Sequence, residues 1–113
     1  TKLRIVNNQN DVEEELATDG AFIFIGLEPN TGILEGSGVL LDEWGFIVTG
    51  HDLVQSGKRP SGYEDRDPQL LETSVPGIFA AGDVRDKSTK QVASAAGEGA
   101  SAALMIREYL KTV

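Results

Sequence analysis

The stretch Thr73-Ser74-Val75-Pro76-Gly77-Ile78-Phe79-Ala80-Ala81-Gly82-Asp83-Val84 decides the reading of this chain. Ser74-Val75-Pro76-Gly77 has the composition of a tight turn, with Pro presetting φ and Gly free to take the left-handed region. The apolar residues Ile78 to Ala81 then read as a short buried strand. That strand stops at Gly82-Asp83, and a segment rich in small residues reads as a helix beyond it. A carboxylate set on a glycine at the carboxyl end of a strand stands where open α/β sheets bind ligands. Gly82 lets a ligand approach the backbone closely, and Asp83 can accept hydrogen bonds from a sugar-like hydroxyl. The alternative reading makes Asp83 the N-cap of the following helix, a position that Asp favours.

Upstream, Ala21 to Ile25 is a continuous apolar run between Asp19-Gly20 and Gly26. Such a run predicts a strand buried on both faces, as in a parallel sheet. Leu27 to Gly32 reads as a loop, because Pro29 ends regular pairing and Asn30 suits a turn. Val39 to Leu41 and Phe46 to Val48 flank Asp42-Glu43-Trp44-Gly45, which predicts a hairpin with a four-residue loop. Near the start, Lys2 to Asn7 alternates apolar and polar residues and predicts a half-buried strand. Asn7 to Asp11 is a turn by composition, and Val12 to Leu16 reads as the returning strand. Gln91 to Leu110 reads as a helix, with Ala93, Ala96, Ala100, Ala103 and Leu104 on one face. Ile106 and Leu110 extend that apolar stripe, and Arg107, Glu108 and Lys111 are assigned to solvent. Between hairpin and turn, residues 50–69 form a long irregular insertion with few apolar anchors, expected to be the most mobile internal segment, with amide exchange across 56–62 as its test.

Composition excludes several function classes. A length of 113 residues allows one small domain at most. With 18 acidic residues against 10 Lys plus Arg, the net charge is −8, which disfavours nucleic acid or an anionic membrane as partner. There is no cysteine, so the chain itself holds no disulfide, thiolate metal site or redox dithiol, and a single histidine, His51, excludes a His-based metal cluster. No apolar run approaches the ~20 residues of a membrane span. The start, Thr-Lys-Leu-Arg, reads like the middle of a strand, which gives the expectation of a fragment. Cytoplasm is the expected location.

Gly97-Glu98-Gly99-Ala100-Ser101-Ala102 satisfies G-x-G-x-x-A, but the residues before it already read as helical, so a complete dinucleotide fingerprint is rejected here. Two glycines inside a helix cost about 1 kcal/mol each relative to Ala. That cost points to close packing against another backbone or a flat ligand, or to helix-on-sheet packing. Lys90-Gln91-Val92 sits at the helix start, where free N–H groups favour electron-rich atoms; an ordinary first turn is the alternative. His51 reads as a solvated side chain and Trp44 as the cover of a core edge. Asp65, Arg66 and Asp67 read as a local charge cluster, and Glu13-Glu14-Glu15 as a solvated run.

Taken together, Thr73 to Val84 followed by Lys90-Gln91-Val92-Ala93-Ser94-Ala95-Ala96-Gly97-Glu98-Gly99 resembles the second FAD motif of thioredoxin reductases. Asp19-Gly20-Ala21-Phe22-Ile23-Phe24-Ile25-Gly26-Leu27-Glu28-Pro29-Asn30-Thr31 resembles the segment by which that family re-enters its FAD domain after the NADPH domain. The resemblance covers most of the chain from about Asp19 to Leu110. It implies an α/β fold: part of a three-layer, Rossmann-like FAD-binding domain with a β-hairpin or meander and a C-terminal helix. Residues 1–18 would be the end of the NADPH-domain sheet and the crossover, and 19–113 the C-terminal lobe of the FAD domain, with 50–69 inserted.

The parent enzyme would be a low-molecular-weight thioredoxin reductase-like oxidoreductase, passing electrons from NADPH or NADH through FAD to a disulfide or similar acceptor. By the same resemblance Asp83 would hold the ribityl or phosphate-linked part of FAD, Gly82 would give access, and Lys90, Gln91 and Val92 would line the ring. The implied partners are the rest of the parent flavoenzyme, a second copy in a homodimer, and a thioredoxin-like protein or other disulfide acceptor. The fragment alone is expected to be inactive and to hold FAD weakly or not at all, because no N-terminal G-x-G-x-x-G, no NADPH fingerprint and no Cys-x-x-Cys lies within it. The alternative of a different class is a stand-alone, non-catalytic FAD-type or protein-interaction module.

Overall fold

The computed structural model describes every residue except Ser56 and Lys58. Strands β1 (Lys2–Val6) and β2 (Glu13–Ala17) pair antiparallel, with Leu3 opposite Leu16 and Ile5 opposite Glu14. The sequence dictates their turn. Asn7 Oδ1 accepts the Gln9 N–H, Asn10 Oδ1 accepts the Val12 N–H, and Asp11 takes a left-handed φ of 56°, a conformation Asp tolerates. Both strands are exposed along their whole length, including Leu3 and Ile5. The expected pairing is present and the expected burial of one face is not, because no described element covers either face.

A second hairpin folds as its composition predicts. Asp42 N donates to Phe46 O and Val48 N to Leu40 O, around the bridge of Leu41 with Ile47. Asp42 Oδ1 accepts the Trp44 and Phe46 N–H groups and so closes the loop, while the Trp44 ring itself stands 70% exposed rather than covering a core edge. The turn at 74–77 lies within a third antiparallel approach. Thr73 N donates to Ile78 O and Ala80 N to Leu71 O, about the bridge of Glu72 with Phe79. Ser74 Oγ ties this turn to the hairpin, accepting from Leu40 N at 2.7 Å and donating to Gly38 O at 3.0 Å.

Several described residues of the insertion are anchored to the rest of the chain. It opens with the short helix α1 (Asp52–Gln55), which buries Leu53. Tyr63 is 0% exposed and donates its hydroxyl to Thr73 O at 2.6 Å. Burial, then the Glu72 charge, pushes the Tyr63 hydroxyl pKa well above its ordinary value. Glu72, also 0% exposed, receives Arg66 through two nitrogens at 2.7 Å and the Gln69 and Gly77 N–H groups at 3.0 Å. Burial alone would raise the Glu72 carboxyl; the Arg66 guanidinium and the two backbone donors outweigh it and hold the group below the usual carboxylate value. Arg66 also stacks over the Tyr63 ring. Within 65–67, Arg66 thus turns to Glu72, while Asp67 pairs with Arg59. The expected mobility over 56–62 falls partly on Ser56 and Lys58, outside the described residues.

The core lies where these pieces meet, around Ile47, Leu53, Tyr63, Leu71, Ala80 and Ala102. The last of these belongs to α2 (Val92–Tyr109), the long helix. Its packed side runs through Ala95, Glu98, Ala102 and Met105 to Tyr109, whose ring meets Phe79 edge-on at 6.2 Å. The apolar stripe read from spacing (Ala93, Ala96, Ala100, Ala103, Leu104) is instead exposed. Gly97 and Gly99 have open space where a Cβ would stand, so no close approach among the described residues explains them.

The largest departure is at 21–25. Phe22, Ile23, Phe24 and Ile25 are 81–90% exposed, and the run makes no backbone pairing among the described residues. A strand buried on both faces needs hydrogen-bonded neighbours and covering layers, and these residues supply neither. The radius of gyration, 19.7 Å, compares with about 13 Å for a compact domain of about 100 residues.

Candidate functional site

Gly82 and Asp83 form a sharp corner after the extended segment 78–81. Gly82 is buried with φ +82°, and a Cβ there would stand 3.4 Å from the Ala95 Cβ of α2. The position therefore suits glycine for its left-handed backbone as well as its closeness to the helix. Arg85 N donates to Gly82 O and closes the turn; Ile47 N donates to Val84 O, and Asp86 N to Ile47 O. The corner is thus gripped by the second hairpin from one side and by α2 from the other.

This grip leaves Asp83 exposed on the wall of a cleft of about 210 Å³, shared with Leu27, Glu28, Pro29, Asn30, Phe46 and Val84. The carboxylates of Glu28 and Asp83 and the amide of Asn30 are hydrogen-bond groups suited to hydroxyls, with Phe46, Leu27 and Pro29 as apolar walls. Two carboxylates make the cleft a poor seat for a bare phosphate.

The five residues singled out from sequence separate into two groups. Gly82 and Asp83 form the corner, and Lys90 reaches the cleft wall from behind. Lys90 has a φ of 56°, and its Nζ donates to Arg85 O at 2.7 Å and lies 4.0 Å from the centre of the Phe46 ring, a cation–π contact that holds the wall in place. Gln91 and Val92 stand exposed at the start of α2, outside the cleft lining. The helix begins at Val92 with Gln91 as its N-cap, so Asp83 does not cap it. Turns through Lys87 and an irregular stretch to Gln91 separate the corner from the helix, which begins within one residue of the start expected at Gln91.

Sequence reasoning passed over two residues that build the corner. Glu98 Oε2 accepts the Gly82 N–H at 2.7 Å and Arg85 Nε at 3.1 Å, and Glu98 Oε1 accepts a second Arg85 nitrogen at 2.7 Å. The remaining Arg85 nitrogen donates to Thr49 Oγ1 at 3.0 Å. The side chains are 14% and 16% exposed. Arg85, followed by the Gly82 N–H, holds the Glu98 carboxyl below its ordinary value despite partial burial. In helical register Glu98 follows Ala95 by three and precedes Ala102 by four and so shares their side, but small residues on both sides of the helix hide which side packs.

A larger cavity of about 550 Å³ opens between the insertion and the turn, lined mainly by Leu40, Leu53, Pro60, Val75 and Pro76. The carboxylate at its rim, Asp52, is paired with Lys87. Among the described residues there is no cluster of metal-ligating side chains, and no helix long and apolar enough to cross a membrane. His51 is exposed, as expected.

Residues 2–99 match the profile of the family described as pyridine nucleotide-disulphide oxidoreductase. Glucosaminate ammonia-lyase of Pseudomonas fluorescens is 43% identical over 110 residues, covering 97% of this chain and 29% of that protein. Mitochondrial thioredoxin reductase 1 of Arabidopsis thaliana is 39% identical over 111 residues, covering 98% of this chain and 25% of that protein. Among solved structures, thioredoxin reductase from Streptococcus pyogenes superposes with a TM-score of 0.65 at 30% identity, covering 99% of this chain and 30% of that one. The chain therefore spans less than a third of the length of these relatives. The likeness establishes the fold as part of a Rossmann-like α/β domain, as the sequence implied.

Proposed function

This chain belongs to the pyridine nucleotide-disulphide oxidoreductase family, and we propose that it is the C-terminal lobe of the FAD domain in a thioredoxin reductase-like enzyme. Residues 1–18 would then close the NADPH-domain sheet and cross back, and 19–113 would complete the FAD domain. The observation that carries this reading is the Gly82-Asp83 corner, set on a cleft whose opposite wall is the Leu27–Asn30 loop. Its acceptor-rich lining fits the hydroxylated middle of a flavin dinucleotide better than its phosphates. Asp83 would accept hydrogen bonds from ribityl hydroxyls, and Gly82 would admit the chain of the cofactor past the backbone. Lys90 would act through Phe46, steadying the apolar wall. Gln91 and Val92, exposed at a helix start, would present backbone N–H groups to the electron-rich edge of the ring.

When bound, the flavin supplies two-electron redox chemistry, and the protein supplies position and electrostatics. The whole enzyme would move electrons from NADPH or NADH to a disulfide, with a thioredoxin-like protein as the class of acceptor. The chain holds no cysteine, so a dithiol on that route would lie outside it. We place the parent enzyme in the cytoplasm as a homodimer. The exposed run at 21–25 favours this reading over a stand-alone module, since it is an apolar strand sequence without a sheet. The test is Asp83→Ala in the full-length protein. A charge-assisted hydrogen bond is worth about 1.5–3 kcal/mol, so FAD affinity should fall by about one to two decades while apoprotein stability is unchanged. Unaltered FAD affinity would remove Asp83 from the site.

A further inference from the structure

We propose that Glu98 is a positioning residue for the cofactor site: with Arg85 it clamps the Gly82-Asp83 corner onto α2 and thereby sets where the Asp83 carboxylate stands. The inference rests on the assignment of Asp83 to flavin and extends it to a residue that touches no cofactor.

Glu98 is the single carboxylate on the packed side of α2, in the row Ala95, Glu98, Ala102. A charge among alanines at a half-buried position is costly unless fully engaged. It is engaged on both oxygens, by the Gly82 N–H and by two nitrogens of one guanidinium. The Gly82 N–H is the last backbone donor before Asp83. It fixes the Ala81-Gly82 peptide, while Arg85 N holds the carbonyl of the next one, Gly82 O, at 3.0 Å; with both peptides flanking Gly82 held, the direction in which Asp83 leaves the corner is set. Gly82 itself, at φ +82°, supplies no side chain to hold that conformation; the hydrogen bond from the helix does so instead.

Arg85 gives the clamp its second function. Its third contact, Thr49 Oγ1 at 3.0 Å, ties the helix and the corner to the strand end after Ile47. That same strand meets the corner through the Ile47 backbone bonds to Val84 and Asp86. Arg85 also balances the charge of Glu98, so the clamp adds no net charge behind Asp83. A helix, a corner and a hairpin from three separate parts of the chain are thus locked by one ion pair. A planar bidentate guanidinium fixes direction as well as distance, which lysine at position 85 would not do.

The test is a double-mutant cycle in the full-length, flavin-loaded protein, with FAD dissociation constants measured for wild type, D83A, E98A and D83A/E98A. Glu98→Ala should weaken FAD about five- to twentyfold, because the Asp83 contact is misaligned rather than lost. In the D83A background the same change should cost less than about twofold, since no carboxylate is left to aim. E98Q keeps an oxygen for the Gly82 N–H and Arg85 Nε but sets an amide NH2 against the second Arg85 nitrogen, so it should recover only part of the affinity that E98A loses. It guards against misreading a folding defect, as does the absorbance spectrum of bound flavin, which E98A should shift more than E98Q. Losses that multiply fully in the double variant, or FAD affinity unchanged in E98A, overturn the clamp alone. A full-length wild type that takes up no flavin overturns the flavin reading and this inference with it.

Discussion

Replacing Arg66 with alanine removes the partner of a carboxylate that water does not reach. Glu72 is 0% exposed and Arg66 contributes two contacts at 2.7 Å, leaving only the Gln69 and Gly77 N–H groups at 3.0 Å after the substitution. Breaking a fully buried pair costs about 3–5 kcal/mol. The Arg66 side chain is 38% exposed, so solvent can enter its vacated place, and two donors remain; about 2–3 kcal/mol is the expected loss for this half-open geometry. Urea unfolding of the full-length protein should show that loss as a lowered midpoint with unchanged slope. The pH dependence identifies its origin. Glu72 has a folded-state pKa below its ordinary 4.5, so its contribution is present above the unfolded pKa and is lost as pH falls through the folded one. Without Arg66 burial dominates, the carboxyl rises, and the variant tolerates protonation that harms the wild type. The gap between the two proteins should therefore narrow as pH falls from 7, first as the variant's raised carboxyl takes up its proton and then, below the ordinary value, as the wild type loses its own contribution. A gap under about 0.5 kcal/mol at pH 7, or one that does not change from pH 7 to pH 4, would refute the argument that an unpaired buried charge is its source.

The 113-residue chain by itself should show no NAD(P)H-dependent disulfide reduction, and FAD should not stay with it through gel filtration; a stoichiometric yellow complex or measurable turnover would contradict the assignment as one lobe of a larger site. Gly77→Ala should cost about 2–4 kcal/mol of stability in thermal or urea unfolding, from a left-handed backbone and an overpacked contact. Gly77 has a φ of +83°, and the added Cβ would stand 2.8 Å from the Tyr109 ring. Gly36→Ala is the control, since its φ is +75° but nothing lies within 4 Å; equal losses at the two sites would show that the Tyr109 contact contributes nothing.

Local rules were legible wherever one short segment decides its own shape. Asp42 and Gly45 specify the second hairpin, Asn7 to Asp11 the first turn, and Pro76-Gly77 the turn before the corner. Each needs only its own dihedrals and a side-chain oxygen within a few residues. Insertion 50–69 defeated the same rules because its order comes from distant partners. Tyr63 is held by Thr73 and Arg66 by Glu72, and neither link leaves a trace in local composition. The run at 21–25 reads as strand sequence but forms no strand, because a strand buried on both faces is defined by neighbours, and none of the described residues pairs with it.

Helix α2 joins the two halves of that lesson. Spacing alone picked its most apolar stripe as the packed one, yet the stripe that packs here carries Glu98. Small residues occur on both sides of the helix, so periodicity could not separate them. The exposed stripe and the exposed run at 21–25 then have one explanation. Both are surfaces suited to burial, and both remain unpartnered while the corner, the hairpin and the inner side of α2 are fully tied together. Gly97 and Gly99 belong to this argument. They weaken an exposed helix by about 1 kcal/mol each and meet nothing among the described residues; the close approach of another backbone or a flat ring to that side would offset the cost. On the proposed reading, the Asp83 cleft would be one wall of a site held from within by Glu98 and Arg85, while the exposed apolar side of α2, which lies outside the cleft lining, would meet another part of the parent enzyme.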